Sequence, residues 1–191
     1  MPLELSSAEK VPYLKYSPRD NEWSLSSEDG AYSFDWDGPA IWDVEKIELG
    51  WLLLDVGMRE WEPWPDNKRT ARPDEREWKQ GFICKVFSKN QFDDAPVRQF
   101  SSNGTGINKF ITNLYNEAEK VSNRFADAKV PVVTITGADK ESYKGRGSTK
   151  IPTFEIVKWV ARPTELDGDE VAEAPKPKQK TKPKNENPEF E

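Results

Sequence analysis

The chain has 191 residues, 32% of them charged and 35% hydrophobic, with a net charge of −6 at pH 7. That length allows one domain with appendages and a proper core, while the polar composition implies that part of the chain stays unfolded. Histidine is absent and Cys84 is the only cysteine, which excludes disulfide frameworks, histidine-based triads and ordinary zinc sites.

A lone cysteine also points to a reducing compartment. No apolar run approaches a membrane span, and the N-terminal residues lack a basic segment followed by an apolar core. A cytoplasmic protein without membrane association is therefore expected. The acidic balance argues against a uniformly basic surface but leaves room for a local basic groove.

Residues 1–30 mix Ser, Glu, Pro and Lys without sustained periodicity and read as an extended N-terminal arm. From Tyr32 the aromatic density rises. Residues 41–55 suit one bent strand or two short ones, with Gly50 at the bend. Residues 58–81 read as a loop carrying Trp61, Trp64, Lys68, Arg69 and Arg72, because Pro63, Pro65 and Pro73 exclude a central strand or helix.

Residues 82–88 alternate as a strand, with Phe82, Cys84 and Val86 on one face and Ile83, Lys85 and Phe87 on the other. Cys84 reads as a small buried hydrophobe. Residues 97–101 complete an antiparallel hairpin. Ser102-Asn103-Gly104-Thr105-Gly106 is a helix-entry turn capped by Thr105, and it lacks the lysine of a phosphate-binding loop. Ile107, Phe110, Ile111, Leu114, Ala118, Val121 and Phe125 then follow helical spacing and form one apolar stripe.

Residues 131–136 and 153–160 are strand-like and rich in β-branched and aromatic side chains. Residues 137–150 between them form a long basic loop with Lys140, Tyr143, Lys144, Arg146 and Lys150, and a solvated surface hairpin is its plain alternative. From residue 164 onwards the chain turns acidic, then alternates proline with lysine, and ends Pro188-Glu189-Phe190-Glu191. Residues 164–191 therefore read as a disordered tail, leaving a domain over residues 31–163.

Three strands, a helix and two strands is the order of a five-stranded OB-fold Greek-key barrel, mainly β with one helix between strands three and four. Oligonucleotides bind that fold on strands two and three and on loops one-two and four-five, which here are the two basic loops. Aromatic faces stack on unpaired bases at about 1–3 kcal/mol each, while Lys and Arg follow the backbone. The candidates are Trp61, Trp64, Lys68, Arg69, Arg72, Trp78, Lys79, Lys85, Phe87, Arg98, Phe100, Tyr143, Lys144, Arg146, Lys150 and Lys158. Core packing competes for every aromatic, above all for Phe87, Phe100 and Trp159.

Pro152-Thr153-Phe154-Glu155-Ile156-Val157-Lys158-Trp159-Val160-Ala161-Arg162-Pro163 resembles the closing strand of small proteins from tailed phages and prophages. So do Trp78-Lys79-Gln80-Gly81-Phe82 and Phe100-Ser101-Ser102-Asn103-Gly104. Over about residues 40–163 the layout is similar to phage single-stranded DNA-binding proteins. The resemblance implies single-stranded DNA binding in replication, recombination or repair, with no catalysis, no cofactor and no metal. It also implies the bacterial cytoplasm and a tail that docks replication or recombination proteins, while leaving the oligomeric state open, a homo-oligomer included. The tail departs from the pattern, since its few terminal acids follow a Lys-Pro run.

Two other classes compete. Pro65-Asp66 followed by Glu77-Trp78-Lys79 resembles the carboxylate and lysine set of metal-dependent nucleases, although its Pro-rich setting and the single helix do not suit that fold. Aromatic-rich loops also serve protein adaptors, which have no need of the basic residues 137–150.

Overall fold

The computed structural model describes residues 11–121 and 128–168. Residues 169–191 of the expected tail, the far end of the expected helix and the first ten residues lie outside that range. The described chain is mainly β with one helix, and its ten strands form one curled open sheet.

The N-terminal region is a meander instead of an arm. β1 (Tyr13–Ser17), β2 (Glu22–Ser27) and β3 (Gly30–Phe34) pair antiparallel in sequence. Leu14 and Tyr16, then Trp23 and Leu25, sit two residues apart and are buried together. That period-two spacing puts them on one face of a pleated strand. The polar residues between them hide the alternation from a window average.

Of the two arrangements expected for residues 41–55 the chain takes two strands, and the break falls at a 3-10 turn over Val44–Lys46, not at Gly50. β4 (Ala40–Trp42) joins the centre of the sheet, and β5 (Glu48–Asp55) is paired on both sides, by β6 (Met58–Pro63) and β7 (Lys79–Phe87). Gly50 is needed for close approach. A Cβ there would lie 2.5 Å from the Glu62 carbonyl oxygen and 2.7 Å from the Trp61 ring. Gly50→Ala is expected to cost about 1–3 kcal/mol, the usual toll of overpacking, measurable as a lower urea midpoint.

β7 pairs antiparallel with β8 (Val97–Ser102) as expected, and Phe82, Cys84 and Val86 face the core. Burial pushes the Cys84 thiol well above its usual range, which fits a packing role. α1 (Thr105–Glu119) follows, with Gly104 at the N-cap position and Thr105 already helical. Ile107, Phe110, Ile111, Leu114 and Ala118 are buried against the inner face of the sheet. Val121, included in the expected stripe, is exposed just past the helix.

β9 (Lys129–Tyr143) and β10 (Gly147–Ala161) form a long hairpin. The segment 137–150 takes the alternative reading, a surface hairpin, and not the long loop: it is mostly strand, and only Lys144–Arg146 turn. Closing a five-stranded barrel would require β10 to reach the free edge of β8. That edge is taken by β1, which runs parallel to it with Tyr13 opposite Gln99 and Leu14 opposite Phe100. Between the two ends, the Lys150 N–H donates to the Pro18 carbonyl at 3.1 Å. Residues 164–167, assigned to the tail by sequence, form a docked 3-10 turn with Leu166 buried.

Candidate functional site

Burial sorts the sequence-derived residues. Phe100 lies at the centre of the aromatic core, its ring 5.5 Å from those of Trp23, Trp42 and Phe82. Arg98 has no exposure at all, and its guanidinium donates to the Ser26 carbonyl and to Asp94 at 2.8 Å each. It also lies over the Phe92 ring. Arg98 is a clamp between β8 and the N-terminal meander, and neither it nor Phe100 can meet a ligand.

Trp64 and Trp78 are buried too, in a second cluster with Trp51 and Leu53. Prolines around Trp61 and Trp64 suggested exposed loop aromatics, but the loop folds back over β5. Burying an indole needs a partner for its N–H, and local groups supply two of them. Trp78 donates to Asp74 at 2.8 Å and Trp51 to the Thr70 carbonyl at 3.2 Å. Phe87 is buried beneath Lys89. Lys85 donates to the Leu166 carbonyl at 3.1 Å and so anchors the C-terminal turn. These six residues leave the interface.

The remaining candidates are accessible. Trp61 is half-buried on β6, in strand and not in a loop. Lys68, Arg69 and Arg72 are exposed, and the guanidinium carbons of Arg69 and Arg72 lie 5.1 and 5.8 Å from the centre of the same Trp51 ring. Among the described residues neither arginine is ion-paired to a carboxylate. Arg76 nearby shows the contrast: Glu60 and Asp74 both hold it, which raises its pKa and lowers that of Asp74. Lys79 opens β7 opposite Leu52, and Lys158 is exposed on β10 opposite Val132.

The second basic segment is the hairpin end. Lys144 and Arg146 are exposed in its turn, with Tyr143 and Lys150 half-buried at the strand ends. α1 fixes this end in place: Lys109 pairs with Glu141 at 2.7 Å, and a Cβ on Gly106 would meet the Thr149 side chain at 3.0 Å. On the opposite flank α1 meets the first basic loop. Asn108 donates to the Gln80 carbonyl at 3.0 Å, and Ile111, Thr112 and Tyr115 share a cavity of about 370 Å3 with Leu49 and Asn67. The two basic segments thus lie on either flank of α1 and are not contiguous.

Arg19 was not legible as a site residue. The Pro18–Lys150 bond brings its turn beside the hairpin, and no local sequence pattern reports such a long-range contact. Among the described residues no three carboxylate or thiol side chains gather as a metal would require. Asp66 is exposed in a 3-10 turn and Glu77 is exposed before β7. No helix of the described residues is long and apolar enough to cross a membrane.

Comparison with known proteins adds no identity. No protein-family model, curated protein or solved structure matches the chain.

Proposed function

We propose that the chain binds single-stranded DNA without catalysis and with little sequence preference, in phage-type replication, recombination or repair. The observation that carries this reading is the pair Arg69 and Arg72. Both guanidiniums rest on one buried indole, and among the described residues neither is ion-paired to a carboxylate, so two cations are held ready for phosphates at low ordering cost. Lys68 and Lys79 extend that side, and Lys144, Arg146, Lys150 and Lys158 supply the other. Trp61 and Tyr143 are the sequence-derived aromatics with faces left for bases. In this reading the curled sheet is an OB-type barrel enlarged by an N-terminal meander, as the phage resemblance implies, and the tail meets replication or recombination proteins.

The test is intrinsic tryptophan emission titrated with poly(dT), because Trp51 lies directly beneath the two arginines. Emission is expected to change, with log affinity falling against log salt by about 0.7 per phosphate contacted. Unchanged emission at low salt counts against the reading.

An adaptor role is favoured by one different observation. Tyr13, Leu54 and Arg59 line a groove of about 520 Å3 together with Val11, Gln99 and Ser101, and Val11, Tyr13 and Leu54 are exposed there. An apolar groove of this kind suits a protein partner. Binding of poly(dT) decides in favour of the first reading.

A further inference from the structure

The register of the β9–β10 hairpin sets two lysines against each other. Lys140 is the partner of Lys150, Ser142 of Ser148 and Ala138 of Pro152, so these six share one face. Glu141 with Thr149 and Asp139 with Ile151 occupy the other face, which packs on α1 through the Lys109–Glu141 pair. The hairpin therefore segregates its charges, acids towards the helix and lysines outward.

The Lys140–Lys150 pair is also the close kind. The Lys150 N–H donates to Pro18, so it points away from β9. A residue whose N–H points out of the ladder belongs to a non-hydrogen-bonded pair, where opposed side chains approach most closely. Like charges in that position destabilise a hairpin. Ion pairs hold Lys46, Lys89 and Lys109 elsewhere on the surface, yet among the described residues neither Lys140 nor Lys150 is ion-paired. Their flanking neighbours Ser142, Ser148 and Ala138 are too small to cover them. The β1–β2 turn adds Arg19 at this edge, while Asp20 of the same turn accepts from the Ser17 hydroxyl at 2.8 Å.

We infer that this outer face is a phosphate-backbone track, with Lys140 and Lys150 straddling one phosphodiester and Arg19, Lys144 and Arg146 taking its neighbours. The inference rests on the single-strand reading above and deepens it by naming the contacted chemistry. Tyr143 lies on the opposite face, with Glu141. The track therefore recognises sugar-phosphate without the base.

The experiment measures anisotropy of a labelled dT oligomer and of an abasic oligomer of equal length, with inorganic polyphosphate as competitor. Full-length wild type is compared with K140Q/K150Q and with K89Q/K120Q, which loses the same charge elsewhere. K140Q/K150Q is expected to bind both oligomers roughly tenfold more weakly and to flatten the salt slope by about 0.7, the value for one lost phosphate. Its melting temperature stays equal or rises, since a repulsion is removed. K89Q/K120Q keeps the wild-type slope, and polyphosphate displaces both oligomers from wild type. If K140Q/K150Q keeps wild-type affinity and slope, the track is overturned and the single-strand reading stands. If wild type binds neither oligomer, the single-strand reading falls and takes the track with it.

Discussion

Phe100→Ala is expected to strip about 3–5 kcal/mol from the fold, the cost of emptying a packed aromatic site. Its ring touches four others, those of Trp23, Trp42, Phe82 and Phe110. They come from β2, β4, β7 and α1, so the cavity would open where the meander, the sheet and the helix meet. Small domains hold only about 5–15 kcal/mol in total, so this one change removes a large share. Guanidinium unfolding should show a much lower midpoint, and nucleic-acid affinity of the folded fraction should stay at the wild-type value. A variant with wild-type stability and lost DNA binding would instead make Phe100 a stacking residue and contradict its burial.

Asp43→Ala is expected to cost a similar 3–5 kcal/mol, for an electrostatic reason. Asp43 is buried and accepts from the Arg162 guanidinium at 2.6 and 3.2 Å. Asp43 holds the Arg162 pKa above its ordinary value, and Asp167 adds to this. Asp167 in turn pairs with Lys46 at 2.9 Å. Removing Asp43 leaves Arg162 nearly buried with only the exposed Asp167 to balance it. The docked turn Thr164–Asp167 should then loosen, seen as faster amide exchange at Leu166. The double variant D43A/R162A should cost less than the sum of the two singles, because no lone charge remains inside. Additive costs would show that the pair does not act as a unit.

Much of the fold was legible wherever one face of an element is uniformly apolar. Ile107, Phe110, Ile111 and Leu114 declare α1, and Phe82, Cys84 and Val86 declare β7. The meander was missed because its signal is two pairs, Leu14 with Tyr16 and Trp23 with Leu25, diluted by serine and glutamate. For residues 137–150 the sequence left a long loop and a surface hairpin both open, because the inner face of the hairpin is polar: it meets α1 through Glu141 and Thr149 as well as Ile151.

The site was legible as charge but not as geometry. Lys144 and Arg146 in the hairpin turn stay exposed whatever the fold. Whether an indole is a platform or a core residue depends on partners such as Asp74 and Thr70, which sequence does not place. Arg98 misled for the same reason, since the carbonyl that holds it, that of Ser26, lies on β2, far off in sequence.

The parallel contact between β1 and β8 has a kinetic consequence. Tyr13 cannot find Gln99 until most of the domain exists, and closing so long a loop is entropically slow. The meander can form its own hairpins early, but it docks late. Until then the β8 edge stays unpaired, an open template for another chain's strand. In synthesis from the N-terminus, β1 waits for the whole β4–β8 segment to emerge. The first strand of the chain thus waits on the eighth for its partner.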